Sequence, residues 1–484
     1  MAAAPPAILA IDLGTTELKA GLVTADGQML AADREPYPID HDAATGRAEQ
    51  DPGAWWSALV AVTRRLMDAA GPAPDIAAIC CVGQGPTLVP VDAGGRATHP
   101  AMTWMDGRST AEAADLEAAT GSSGWGLGIL PAALWLERNA APAAERTTWY
   151  LNAWEWAAFR LTGEARTTRS LGQVLPDPAG AASTGLVVER MPAVADSGSI
   201  IGALTAATAA ALGLRPGIPV VAGMVDSFAS FHGAGLTDTG DAVDTGGTSG
   251  GLAVYWDSRP DVAGAWVARA PLPDRWIVGG AMSATGKAMD WLADDVLGGG
   301  SVEMLIASAR TVAPGADGLV FLPYLAGERS PLWDPGARGA FVGLTLAHGR
   351  AHLARAVLEA AALALRHVAT PILAAGLRID QVVVTGGTAR ADTWNQIKAD
   401  VLGAPVVVPA MRETAVAGAA ILGATAVGWH RDVAAAIAAM VRTDHRLEPD
   451  ARRAPVYNAL FEAYVELWPA IAPTVRRLRE LPGG

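Results

Sequence analysis

The segment Ile11-Asp12-Leu13-Gly14-Thr15-Thr16 sets a carboxylate just ahead of a small hairpin turn. A Gly-Thr-Thr turn presents backbone N–H groups and two hydroxyls with no bulk, which is what a phosphate needs from an uncharged cradle. Asp12 suits Mg²⁺, directly or through water, because that ion takes one or two carboxylates and completes its shell from substrate phosphates. An ordinary hairpin with an inward aspartate fits the same residues. Asp244-Thr245-Gly246-Gly247-Thr248-Ser249 repeats the pattern, so Gly246, Gly247, Thr248 and Ser249 offer a second cradle, and two cradles facing each other would clamp a triphosphate. The run Gly247 to Gly251 formally matches a G-x-S-x-G nucleophile elbow, but an elbow leads into a helix and Leu252 to Trp256 reads as strand.

Asp226 stands where the short strand Ile218 to Gly223 gives way to small residues that suit a helix start. A carboxylate there would accept the proton of a substrate hydroxyl as it attacks a γ-phosphate. An N-cap aspartate fits the same position. Val382 to Val384 reads as a buried strand, and the following Thr385-Gly386-Gly387-Thr388 lets the backbone approach a nucleoside closely. The spacing is not G-x-G-x-x-G, so no dinucleotide fold is expected, and a purely structural glycine turn stays open. Trp104-Met105-Asp106-Gly107-Arg108 puts an aromatic, an acid and a base on alternate positions. In an extended segment all three face one side and suit a polyhydroxylated ligand; the alternative is a surface hairpin with an Asp–Arg pair. Gly279 to Lys287 lacks P-loop spacing and has Ala288 where a magnesium-binding hydroxyl belongs.

Holding these residues takes two sheets. A length of 484 residues suits two domains. The first half opens as a meander, Ile8 to Leu13, Glu17 to Val23 and Gln28 onward, followed by a helix over Gly53 to Ala69 and a buried strand over Ile76 to Val82. Residues 110–214 read as mostly helical or irregular. The second half repeats the plan after Asp244, with a meander of Leu252 to Trp256, Gly264 to Ala270 and Trp276 to Ala281, a long helix over His352 to Ala375, the strand Gln381 to Val384 and a helix over Asp392 to Leu402. The boundary is placed at residue 238, giving domains 1–238 and 239–484, the second ending in a C-terminal helix.

The net charge of −13 and the lack of any Lys/Arg-rich run argue against nucleic acid or an anionic membrane as partner. Met1 to Ala10 has no basic n-region, so no signal peptide is expected, and Arg355 and Glu359 interrupt the apolar run Ala351 to Leu365, so no membrane span is expected. The two cysteines, Cys80 and Cys81, are adjacent in an apolar strand, which fits a reducing, cytoplasmic setting and neither a disulfide framework nor a zinc site. Lysine occurs only at Lys19, Lys287 and Lys398, each near a glycine-rich segment.

Taken in order, these segments resemble the FGGY carbohydrate kinases, the family of xylulokinase, ribulokinase and glycerol kinase within the actin-like ATPase superfamily. The resemblance covers nearly the whole chain. Ile11 to Thr16 is similar to the family's first phosphate motif, Thr245 to Gly250 to its second, Gly223 to Gly235 to the segment with the catalytic aspartate, and Val384 to Thr388 with the helix of Trp394, Asn395, Gln396 and Asp400 to the adenosine motif. The most specific match is Gly327-Glu328-Arg329-Ser330-Pro331-Leu332-Trp333-Asp334-Pro335 running into Arg338 to Leu344, after which His352 to Glu359 fits the spacing of the second family signature.

The resemblance implies an α/β, two-domain actin-like ATPase (ribonuclease H-like) fold with an interdomain cleft that closes on MgATP and a small sugar or polyol. It implies Asp226 as catalytic base, phosphates at Gly14, Thr15, Thr16, Gly246, Gly247, Thr248 and Ser249, and Mg²⁺ at Asp12. It places adenosine at Gly386, Gly387, Thr388 and Asn395, and substrate at Gln84, Trp104, Asp106, Arg108, Asp226 and Glu328. The family's habit is a homodimer. The chain looks most like the xylulokinase branch through Gly83-Gln84 and Trp104-x-Asp106-x-Arg108, yet Gly85-Pro86-Thr87 replaces Met-His-Gly, whose His contacts the sugar. Ala132 replaces a lysine, and Ala153-Trp154-Glu155-Trp156 replaces Pro-Lys-Asp-Tyr. These losses, with the gain of Trp154, point to a pocket re-cut for another ligand. D-xylulose or a related ketopentose is the default substrate, with a tetritol, ribulose or glycerol as alternatives. An actin-like ATPase that drives partner binding without a sugar is the reading from another class.

Overall fold

Seven successive buried residues, Ala7–Leu13, make strand β1, and a run apolar on both faces suits a strand with a parallel neighbour in a covered sheet. The computed structural model describes residues 5–42, 44–71, 75–168, 177–247 and 249–481. β1 pairs antiparallel with Glu17–Val23 (β2), which pairs with Met29–Pro36 (β3), and parallel with Ile76–Gly83 (β4). Ile200–Ala203 (β5) lies antiparallel to Pro219–Val221 (β6), which runs parallel to β4. The sheet order is therefore β5-β6-β4-β1-β2-β3. Helix Pro52–Ala69, capped by the Asp51 side chain on the Gly53 N–H, buries Trp55, Leu59, Val62 and Leu66 at helical spacing against this sheet.

The second sheet comprises Asp241–Asp244 (β7), Gly250–Trp256 (β8), Trp266–Arg269 (β9), Trp276–Met282 (β10), Gln381–Val384 (β11), Val406–Pro409 (β12) and Thr443–Leu447 (β13). Its order is β9-β10-β8-β7-β11-β12-β13. β7, β8 and β10 repeat β1, β2 and β3, and the parallel β11 and β12 repeat β4 and β6, so the echo of the two hairpins is a duplication of architecture. The expected second meander is re-ordered, because β10 and not β9 pairs with β8. β10 buries Ile277, Val278 and Met282 fully and has Gly279, where an added methyl would fall 1.9 Å from the Leu252 carbonyl oxygen. β9 is only half-buried and takes the edge.

Two compact units result, Met1–Gly235 with Glu413–Val441, and Leu236–Arg412 with Arg442–Gly484. A single division at residue 238 omits the return of Glu413–Val441 to the first unit. The cause is helix Thr414–Ala426, which is buried continuously from Thr414 to Ala424 and packs on β1 and on helix Asp226–Gly233. There the backbones touch: a methyl on Gly418 would sit 1.9 Å from the Ala229 carbonyl oxygen, and one on Gly233 2.0 Å from that of Thr414. Helix Arg350–Ala374 is long and apolar enough to cross a membrane by length and composition, but it lies in the core of the second unit. Its buried Arg355 pairs there with Glu359 at 2.7 Å and with the Tyr457 hydroxyl.

Candidate active site

In the first unit the carboxyl ends of β1, β4 and β6 lie side by side, which is where open parallel sheets carry their ligands. The Gln84 N–H donates to the Leu13 carbonyl at 2.8 Å and the Gly83 N–H to that of Met224 at 3.3 Å. Asp12, Gln84 and Asp226 are thereby set at one end of three adjacent strands. Asp226 is the first residue of its helix; Val225 occupies the N-cap, so the capping role is not the one Asp226 fills. Burial pushes its carboxyl up to about 6, against the pull of the Ser227 N–H at 2.6 Å and of the Lys19 ammonium. Burial also drives Asp12 well above the ordinary carboxylate range, and the Asp226 charge raises it further. Lys19 faces Asp12 across the β1–β2 ladder, and its Nζ lies 2.9 Å from Glu413 and 3.6 Å from Glu17.

Asp12 Oδ1 is buried without a hydrogen-bond partner. A hard cation or its water would satisfy that atom, so the residue fits the expected Mg²⁺. The Gly14 N–H closes its own hairpin onto the Glu17 carbonyl at 3.1 Å, leaving the turn N–H groups of Thr15 and Thr16 and the Thr16 hydroxyl for a phosphate. Gln50 braces the turn, donating to the Thr15 carbonyl at 2.7 Å, and Gln84 donates to Gln50 Oε1 at 2.6 Å.

In the second unit the same relation recurs between β7 and β11, where the Thr385 N–H donates to the Asp244 carbonyl at 3.0 Å. Gly386, at φ +70°, comes so close to the second hairpin that a methyl there would fall 2.2 Å from the Gly246 carbonyl oxygen. Gly247 donates to the Ser249 carbonyl at 2.9 Å and accepts from the Gly286 N–H at 3.0 Å. Thr248 lies outside the described residues. Beside the turns opens a cavity of about 840 Å³ lined by Gly247, Gly286, Gly387, Thr388, Thr393 and Trp394 among others, a volume within the range of nucleotide-sized ligand sites. Asn395 does not line it: the side chain is fully buried and donates to the Ala389 carbonyl at 3.0 Å, bracing the turn from behind. Glu328 accepts from the N–H groups of Ser283 at 2.8 Å and Arg329 at 2.7 Å, while its Oε2 is buried without a hydrogen-bond partner. Burial raises this carboxyl.

Residues 7–233 match the N-terminal domain of the FGGY family of carbohydrate kinases and residues 242–427 its C-terminal domain. The chain is an FGGY carbohydrate kinase. It is 32% identical to xylulose kinase of Escherichia coli K12 over 96% of this chain and 99% of that one, and 28% identical to gluconokinase of Bacillus subtilis over 95% of each. The crystal structure of xylulose kinase from Rhodospirillum rubrum superposes with a TM-score of 0.82 at 31% identity, covering 97% of this chain and 99% of that one. The FGGY kinase accordingly has the two-domain actin-like ATPase fold and is an ATP-dependent sugar phosphotransferase.

On the expected sugar side, the kinase departs from the extended geometry read for Trp104 to Arg108. The segment is a turn, and Asp106 and Arg108 are joined at 2.7 Å because the bend brings residues two apart together. Arg108 also donates to Glu49 at 2.5 Å and lies 4.3 Å from the Trp135 ring centroid. Asp106 accepts from the Ala48 N–H at 2.9 Å. Trp104 remains 43% exposed, with its indole N–H on Thr15 Oγ1 at 3.0 Å, so it stands over the first phosphate hairpin. Trp154 is buried and donates to Thr168 Oγ1 at 3.0 Å. A methyl on Gly85 would fall 2.7 Å from its ring, so Trp154 packs directly against the start of the Gly85-Pro86-Thr87 loop. Gln50, Glu49, Lys19 and Glu413 are contributors that sequence reading passed over; only Lys19 carried a signal, as one of three lysines.

Proposed function

We propose that the kinase transfers the γ-phosphoryl group of ATP to a hydroxyl of a small uncharged ketose or polyol, with D-xylulose the first candidate, in the cytoplasm. The observation that carries this reading is Asp226, a half-buried carboxylate at the head of a helix, pushed up to about 6 beside Asp12 and Lys19. A base poised near 6 accepts the proton of an attacking hydroxyl at cellular pH without being permanently protonated. Asp226 orients and deprotonates the acceptor, the Thr15 and Thr16 turn holds the transferred phosphate, and the cavity of the second unit holds the nucleotide. Asp12 would hold Mg²⁺, directly or through water, and the ion would supply neutralisation of the phosphate charge there.

An uncharged acceptor is favoured over an aldonate by the charge balance around Trp104 to Arg108. The Arg108 guanidinium is already engaged by both Asp106 and Glu49, and Lys19 by Glu413. Neither cation is left to a substrate carboxylate. Pro86 stands where the xylulokinase pattern has a histidine, so the acceptor loses one polar contact there.

The test is ADP release in a coupled assay with MgATP and a panel of ketopentoses, tetritols, pentitols, glycerol and gluconate. One uncharged compound stimulates turnover strongly, and Asp226→Asn lowers kcat by about 10²–10⁴-fold while MgATP still binds. Retention of most turnover in that variant sinks the assigned base. Stimulation by gluconate alone sinks the uncharged acceptor, and a flat panel over a brisk basal ATPase returns weight to a partner-driven ATPase.

A further inference from the structure

Lys398 lies in helix Asp392–Leu402 with its side chain only 2% exposed, as is that of Asp244. Its Nζ is 2.6 Å from the Asp244 carboxylate, donates to Thr388 Oγ1 at 3.2 Å and sits 5.1 Å from the Trp394 ring centroid. Asp244 is the last residue of β7, directly ahead of the second hairpin. Thr388 belongs to the glycine turn after β11, and Thr388 and Trp394 both line the 840 Å³ cavity. One ammonium group thus joins the strand end that leads into the second hairpin to Thr388 of the cavity wall, without lining the cavity itself.

Such a pair is costly, because both ions lose their hydration, and well-packed apolar side chains of similar volume often stabilise a core as well or better. The ammonium adds what apolar packing lacks, a charge contact to Asp244 and a directed bond to Thr388. They act where tolerance is smallest. A methyl on Gly246 would fall 1.8 Å from Thr388 Oγ1, and one on Gly386 2.2 Å from the Gly246 carbonyl oxygen, so the two turns already touch. A shift of either hairpin changes the width of the slot between them.

We propose that Lys398 is a positioning residue for the nucleotide, fixing the hairpin after Asp244 and the turn at Thr388 at the spacing that a nucleoside polyphosphate requires. The inference rests on the cavity being the nucleotide site. Its effect falls on nucleotide affinity and not on the phosphoryl-transfer step, since Lys398 touches neither the acceptor base nor the first hairpin.

The experiment compares the full-length kinase with the apolar pair Asp244→Leu/Lys398→Leu and with Thr388→Val, measuring melting temperature, MgADP binding by titration calorimetry, and kcat and KM for ATP. The apolar pair melts within a few degrees of the wild type yet binds MgADP about tenfold or more weakly. KM for ATP rises by a similar factor, with kcat at saturating ATP within about threefold. Thr388→Val, which keeps the ion pair and removes only its hydroxyl partner, gives a smaller loss of affinity without a loss of melting temperature. Wild-type MgADP affinity in the apolar pair, or in a folded Thr388→Val should the pair not fold, overturns the proposal. A wild-type kinase that binds no MgADP overturns the nucleotide reading beneath it.

Discussion

Asp226, Asp12 and Lys19 form a charge cluster of opposite demands: two carboxylates that burial drives toward the protonated form and one ammonium that favours their ionisation. A general base must be ionised to work, so kcat/KM for the acceptor, which reports the free enzyme, falls as pH drops through about 6. A carboxyl at its ordinary value of 3.8 would hold the rate about two pH units lower. Lys19→Met removes a charge that pulls Asp226 down, so the acid limb moves to higher pH in that variant. A limb lying below about pH 5, or one that Lys19→Met leaves in place, removes Asp226 from the role. The carboxylates were legible because each sits at its own strand end, where a local pattern of apolar run and small turn residues marks it. The pairing of Lys19 with Glu413 was not, because residues so far apart in sequence meet only through the fold.

At the scale of elements, strands with apolar runs were legible to within a residue or two, as β1, β4 and β11 show. Helix Thr414–Ala426 was not. Small and apolar on every side, it offers no amphipathic period, since it is buried all round. The Trp104 to Arg108 segment misled for another reason: alternation implies a common face only in an extended chain, and the turn closed by the Asp106 N–H on the Thr103 carbonyl bends it. The close approach at Gly418 gives a prediction. Gly418→Val forces helix Asp226–Gly233 outward, costs about 1–3 kcal/mol by overpacking and lowers the melting temperature by several degrees. The same displacement moves Asp226, so kcat falls more than the lost stability explains. Thermal melts and kcat on one preparation check both, and an unchanged kcat with a lowered melting point uncouples that helix contact from the base.

For the whole molecule, the duplication of a five-strand core was legible as an echo of two short hairpins. The crossing of Glu413–Val441 back to the first unit was not, because no local signal records which sheet a helix will cover. A fragment of residues 1–235 leaves the β1 face that helix Thr414–Ala426 covers open to water. Expressed alone, it shows no cooperative thermal transition by circular dichroism, whereas the same fragment joined through a flexible linker to 413–441 does. Equal cooperativity in both overturns the assignment of that helix as an integral part of the unit.

Cys80 and Cys81 stand at the centre of β4 with no exposed surface. Burial raises the Cys81 thiol to about 12 and Cys80 well above its ordinary value, so neither is a nucleophile while the strand is in place. The second unit has no cysteine at all. Reaction with an aromatic disulfide reagent in native buffer therefore keeps time for one half of the enzyme, since the first labelled thiol of a chain marks an opening of the first unit. A compound that binds beside Asp226 slows that clock in proportion to its occupancy, which turns two inert side chains into an assay for the acceptor that needs neither ATP nor turnover.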